Sequence, residues 1–96
     1  MNQINIWKLR LGTQVKVKTR NTEYHLEMLE ECEKIKVQGG KYFPESQIVY
    51  FQGAVRGGIV NIGNIITGYT MEFICEDGRM ISTSAVEEIE INGSWV

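Results

Sequence analysis

Four glycines, Gly53, Gly58, Gly63 and Gly68, fall at intervals of five in a chain that contains a single proline. A position that gives up its side chain serves the close approach of two backbones, or of backbone to a ligand, and it admits positive φ. Written by fives, Gly53-Ala54-Val55, Gly58-Ile59-Val60 and Gly63-Asn64-Ile65 repeat a small-x-apolar pattern that breaks at Thr70. A solenoid needs about three stacked units, and one coil cannot stack on itself, so the period is read as accidental. Two readings stay open: bulges and strand crossings in a bent barrel wall, or a ligand loop. For the second, Val55-Arg56-Gly57-Gly58 offers exposed amides beside a guanidinium, a pairing that suits an anion. No strand-GxxxxGK[ST]-helix pattern is present, which excludes a P-loop.

Two hairpins are predicted. Val15 and Val17 alternate with Gln14, Lys16 and Lys18, and Tyr24, Leu26 and Met28 alternate with Glu23, His25 and Glu27. With Arg20 and Asn21 as the turn, Asn21 taking positive φ, Lys18 faces Glu23, Lys16 faces His25 and Gln14 faces Glu27. The opposite face then joins Val17 to Tyr24, Val15 to Leu26 and Thr13 to Met28. In the second hairpin, Asp77-Gly78 is the turn; this pairs Glu76 with Arg79, Ile74 with Ile81, Cys75 with Met80, Phe73 with Ser82 and Met71 with Ser84. Ile74 and Ile81 would then share a face needing cover, from Ile4, Ile6 and Trp7 or from a second subunit.

Elsewhere, Ile35 and Val37 alternate in a strand that Gly39-Gly40 ends. Phe43-Pro44 reads as an extended or turn segment, and Gln47 to Gln52 as an internal strand. Val86, Ile89 and Ile91 mark a last strand, and Asn92-Gly93 can turn Trp95 back on it. Six to eight short strands and no helical periodicity predict an all-β domain spanning residues 1–96: a small closed or nearly closed antiparallel β-barrel with a long Gly-rich insert from Gly39 to Gly68.

The segments Thr19-Arg20-Asn21-Thr22 with Tyr24, Val37-Gln38-Gly39-Gly40 with Phe43-Pro44-Glu45, Gly57-Gly58, Gly68, Met71-Glu72 and Thr83-Ser84-Ala85-Val86 resemble a group of small uncharacterised bacterial and phage all-β proteins. The likeness covers residues 13 to 91. The ending from Thr83 to Ile89 is similar to the close of SH3-like barrels, where a short turn joins the last two strands. These resemblances imply a shape, SH3-like, and a phage setting in which counter-defence is a role for a small capturing protein; they imply no chemistry.

Composition removes several classes of function. Net charge is −2, against a dedicated nucleic-acid binder. The charge is nonetheless segregated: residues 1–20 carry Lys8, Arg10, Lys16, Lys18 and Arg20 without an acid, and residues 21–33 carry Glu23, Glu27, Glu30, Glu31 and Glu33 without Lys or Arg. Strand pairing accounts for this better than a binding patch does. The first residues hold no apolar run of signal or membrane length, so a cytoplasmic protein without membrane contact is expected, with Cys32 and Cys75 as free thiols. One histidine and two separated cysteines make no zinc set. His25, on the solvated face, lacks a positioned nucleophile, and the carboxylates read as solvated or salt-paired, so neither catalysis nor a cofactor is expected.

The leading expectation is a non-catalytic protein that captures an anionic, nucleotide-like small molecule. Its site draws on Arg20 and Asn21, on Lys41 and Tyr42 in the Gly39-to-Pro44 loop, and on Arg56, Gly57 and Gly58. Tyr42 is expected at the surface, since its hydroxyl tolerates water. The alternative is a protein-interaction or inhibitor module acting through the Ile74 and Ile81 face as a homo-oligomer.

Overall fold

Apolar residues recurring at every second position become strands that bury one face. In the computed structural model, which describes residues 2–29 and 34–95, such strands make up most of the chain. They are β1 (Gln3–Asn5), β2 (Gln14–Thr19), β3 (Glu23–Met28), β4 (Lys34–Gly39), β5 (Phe43–Arg56), β6 (Ile59–Ile62), β7 (Asn64–Ile66), β8 (Thr70–Cys75), β9 (Met80–Ser82), β10 (Val86–Ile91) and β11 (Ser94–Trp95). One 3-10 turn, Ile6–Lys8, is capped by the Asn5 side chain, which accepts from the Trp7 amide at 2.9 Å. The expected free thiol at Cys32 and the acids Glu30, Glu31 and Glu33 lie outside the described residues.

The first hairpin has the expected register, with Lys18 opposite Glu23, Lys16 opposite His25 and Gln14 opposite Glu27. Its turn closes differently. Asn21 is not at positive φ; instead the Thr19 hydroxyl accepts from the Thr22 amide at 3.2 Å and donates to the Thr22 carbonyl at 3.1 Å. On its other side β2 pairs with β10, placing Lys16 opposite Glu90 and Lys18 opposite Glu88. The basic strand thus lies between two acidic ones, and Lys16 Nζ sits 2.8 Å from Glu90 Oε2, a hydrogen-bonded pair that raises the lysine pKa above its ordinary 10.5.

The second hairpin corrects the predicted register by one. Phe73 faces Ile81, Ile74 faces Met80 and Glu72 faces Ser82. The loop has three residues, Glu76 to Gly78, with Gly78 at φ 90 and a Cys75 amide to Arg79 carbonyl bond of 2.8 Å. A three-residue loop with a left-handed glycine is the next most common hairpin closure after the two-residue turn. Ile81 therefore joins the core at 8% exposure, and the outer row is Tyr50, Ile74 and Met80.

The predicted Gly-rich insert is mostly strand. Pro44 lies inside β5, Gly39 pairs with Phe43, and β5 continues to Arg56, serving β4 along its first half and β6 and β8 along its second. Gly53 marks a shift in register between β5 and β8, and a Cβ there would collide with the Asn61 carbonyl of β6. Gly57 and Gly58, at φ 61 and 78, form the two-residue turn joining Arg56 to Ile59.

The strands build one antiparallel sheet in the order β11-β10-β2-β3-β4-β5-β8-β9, with β6 added to β5, and a two-stranded sheet of β1 and β7. No sheet among the described residues closes into a barrel, which corrects the predicted closure. The segment from β9 to β10 crosses by isolated bonds in place of a ladder: the Thr83 amide reaches the Met71 carbonyl at 3.0 Å, and its hydroxyl accepts from the Met71 amide at 3.0 Å. Tyr24, Phe43, Phe51 and Phe73 pack as an aromatic centre, with centroids 5.5–6.4 Å apart. No helix among the described residues is long and apolar enough to cross a membrane.

Candidate functional site

Three connections meet at one end of the sheet: the β2–β3 turn at Asn21 and Thr22, the β4–β5 turn at Gly40 to Tyr42, and the crossing at Ser82 to Ser84. Together with Tyr24 they line an open recess of about 520 Å³. Glycine permits the approach. At φ 147, Gly39 lies so close to β3 that a Cβ would strike the Glu23 carbonyl, and a Cβ on Gly40 would sit 2.6 Å from the Thr22 methyl. The β4–β5 turn thereby rests on the β2–β3 turn. The third wall is tied in by Asn21 Nδ2, which donates to Ser84 Oγ at 3.0 Å.

The lining is polar, with one cation. Lys41 Nζ lies 5.3 Å from the centroid of the Tyr42 ring, which is 43% exposed. Among the described residues, no carboxylate lines the recess. Thr83 is committed to structure, since its hydroxyl accepts from the Met71 amide and donates to the Ser84 carbonyl at 2.7 Å. Ser82, Ser84, Asn21, Lys41 and Tyr42 have surface to offer. Tyr24 is anchored by its ring against Phe43 and Phe73. Burial raises the Tyr24 phenol above its ordinary 10.0, a hydrogen bond with the Thr22 side chain opposes that rise, and proximity to Tyr42 adds to it. The Tyr24 phenol therefore stays a neutral donor near neutral pH.

No family model, curated protein or solved structure matches the chain. The site is therefore read from its own chemistry.

Of the predicted site residues, Asn21, Lys41 and Tyr42 come together. Arg20 is exposed in the same turn as Asn21 but does not line the recess. Arg56, Gly57 and Gly58 do not line it either. The two glycines supply the turn conformation, and the Arg56 guanidinium sits 5.4 Å from the centroid of the Tyr69 ring. The expected convergence of Arg56 with Lys41 fails because β5 separates the two turns along its full length. Ser82, Ser84 and Thr22 were not among the predicted site residues; for the two serines the hydroxyl-rich run Ser82-Thr83-Ser84 beside a strand end was the local signal, and Thr22 had none.

A second recess of about 500 Å³ is lined by Lys36, Gln47, Glu76, Asp77 and Arg79 among others. Its charges already compensate one another. The Arg79 amide and guanidinium both bind Asp77, at 3.0 and 2.8 Å, and hold that carboxyl below its ordinary 3.8. Among the described residues, no three His, Cys, Asp or Glu side chains come together to hold a metal ion, and Cys75 is a buried free thiol.

Proposed function

We propose that this protein is a non-catalytic binding module whose recess takes an anionic, nucleotide-like small molecule. The observation that carries the reading is the Lys41 and Tyr42 pair at the mouth of a recess otherwise lined by hydroxyls and an amide. Tyr42 offers a face on which a base can stack. Lys41, already over that ring, supplies the cation for a phosphate, and Ser82, Ser84 and Asn21 match sugar hydroxyls. The recess lies within the usual volume of small-molecule sites, about 300–1,000 Å³.

Calorimetric titration with nucleoside mono-, di- and cyclic phosphates tests this. Micromolar affinity for at least one is expected, where about 1 μM corresponds to about −8 kcal/mol. Lys41→Ala weakens that binding about ten- to a hundredfold, as expected for loss of a charge-assisted contact. Absence of heat with all of them up to about 1 mM, or affinity unchanged in Lys41→Ala, overturns the reading.

A further inference from the structure

The β5–β6 hairpin leaves one edge of β6 without a partner among the described residues. Natural sheets guard such edges with charge, proline or brevity. β11 is two residues long, and β9 is preceded by the Asp77–Arg79 ion pair. β6, four residues long, has neither charge nor proline. Its sequence is Ile59-Val60-Asn61-Ile62, no charged residue occurs between Arg56 and Glu72, and Ile59 and Ile62 are 68% and 62% exposed.

The register decides which backbone groups are free. Arg56 and Ile59 flank a two-residue turn, so they form a hydrogen-bonded pair, as do Ala54 and Asn61 two positions on. The groups of Val60 and Ile62 then point away from β5. Val55 agrees, since its carbonyl faces β8, where it accepts from the Thr70 hydroxyl at 3.1 Å. The free edge ends at Gly63, whose amide donates to the Gln52 carbonyl and whose carbonyl accepts from the Ile6 amide. Among the described residues, only Val60 and Ile62 of β6 are left, each with one donor and one acceptor.

We infer that β6 pairs with β6 of a second copy of this chain, antiparallel about a two-fold axis at Asn61. An antiparallel register with Val60 opposite the partner's Ile62 uses all four free groups of each protomer, and the opposed strand carries no charge to repel. Val60 and Ile62 of both copies then form one apolar cluster, and the two Asn61 amides lie side by side on the other face. A two-fold axis meets this requirement with a single patch. The contact is small, so association is concentration dependent.

Sedimentation equilibrium over a range of concentrations tests the pairing. The wild type is expected to dimerise. Ile62→Asp places a charge in the cluster, and Val60→Pro removes an outward donor while sparing the ladder to β5; each raises the dimer Kd by about tenfold or more, with an unchanged circular dichroism spectrum. In a Cys32→Ser background, Asn61→Cys cross-links under mild oxidation. Ile59→Cys does not, because the two positions lie roughly 13 Å apart in this register. A wild type that stays monomeric throughout overturns the inference, as does a dimer that withstands Ile62→Asp or whose Asn61→Cys form fails to cross-link. None of these readouts depends on nucleotide binding.

Discussion

Glycine does different work at different positions here, and the differences can be measured. Gly53 is at φ 152 and its missing Cβ is the space into which the Asn61 carbonyl fits, whereas Gly58 at φ 78 has open space around it. Gly53→Ala therefore combines backbone strain with displacement of a neighbouring strand and is expected to cost about 2 kcal/mol or more. Gly58→Ala meets the strain alone, at about 1 kcal/mol. Urea unfolding midpoints of the two variants check the order; equal losses would mean that the contact with Asn61 carries no weight. The even spacing by five conveyed none of this, because a bulge, a hairpin turn and two tight connections happen to need the same residue type.

Strands were legible where a local pattern repeated and hairpins where charge was mirrored, as at Lys18 and Glu23. The second hairpin was misread by one position because Asp-Gly suits a two-residue turn and a three-residue loop alike. The sequence held a tie-breaker: the observed register sets Phe73 against Ile81, apolar on apolar, while the predicted one set Phe73 against Ser82. The pairing of β2 with β10 and of β1 with β7 had no local signal, and the recess depends on such distant meetings. At this scale the β5–β6 turn is expected to be structural. Arg56→Ala loses a contact with Tyr69 worth about 0.5–1 kcal/mol of stability, visible in a urea melt. It leaves nucleotide affinity in the recess unchanged, and a loss comparable to that of Lys41→Ala would return the ligand site to this turn.

Stability of the whole molecule is tied to the ionisation of one buried phenol. Tyr24 is 3% exposed and its pKa is raised in the folded state, chiefly by burial. The folded protein holds that proton more tightly than the unfolded chain does. Its contribution is therefore complete below the ordinary value of 10.0 and is lost as pH rises through the higher folded value. Thermal melts between about pH 8 and 11 are expected to show Tm falling above about pH 10, with a shallower fall in Tyr24→Phe. Parallel curves would assign the alkaline loss to other groups.

The uncharged run between Arg56 and Glu72 has much of the composition of an amyloid-prone segment, since it is rich in isoleucine and lacks both proline and charge. A steric zipper needs about six or seven consecutive residues in extended conformation. Gly58, Gly63 and Gly68, all at positive φ, cut the run into β6 of four residues and β7 of three. Each break restarts the strand in a new direction before a zipper length is reached. Replacing Gly63 would leave Ile59 to Ile66 as one glycine-free, uncharged, β-prone segment of zipper length, and such a variant is expected to form thioflavin-positive fibrils faster than the wild type under partly denaturing conditions.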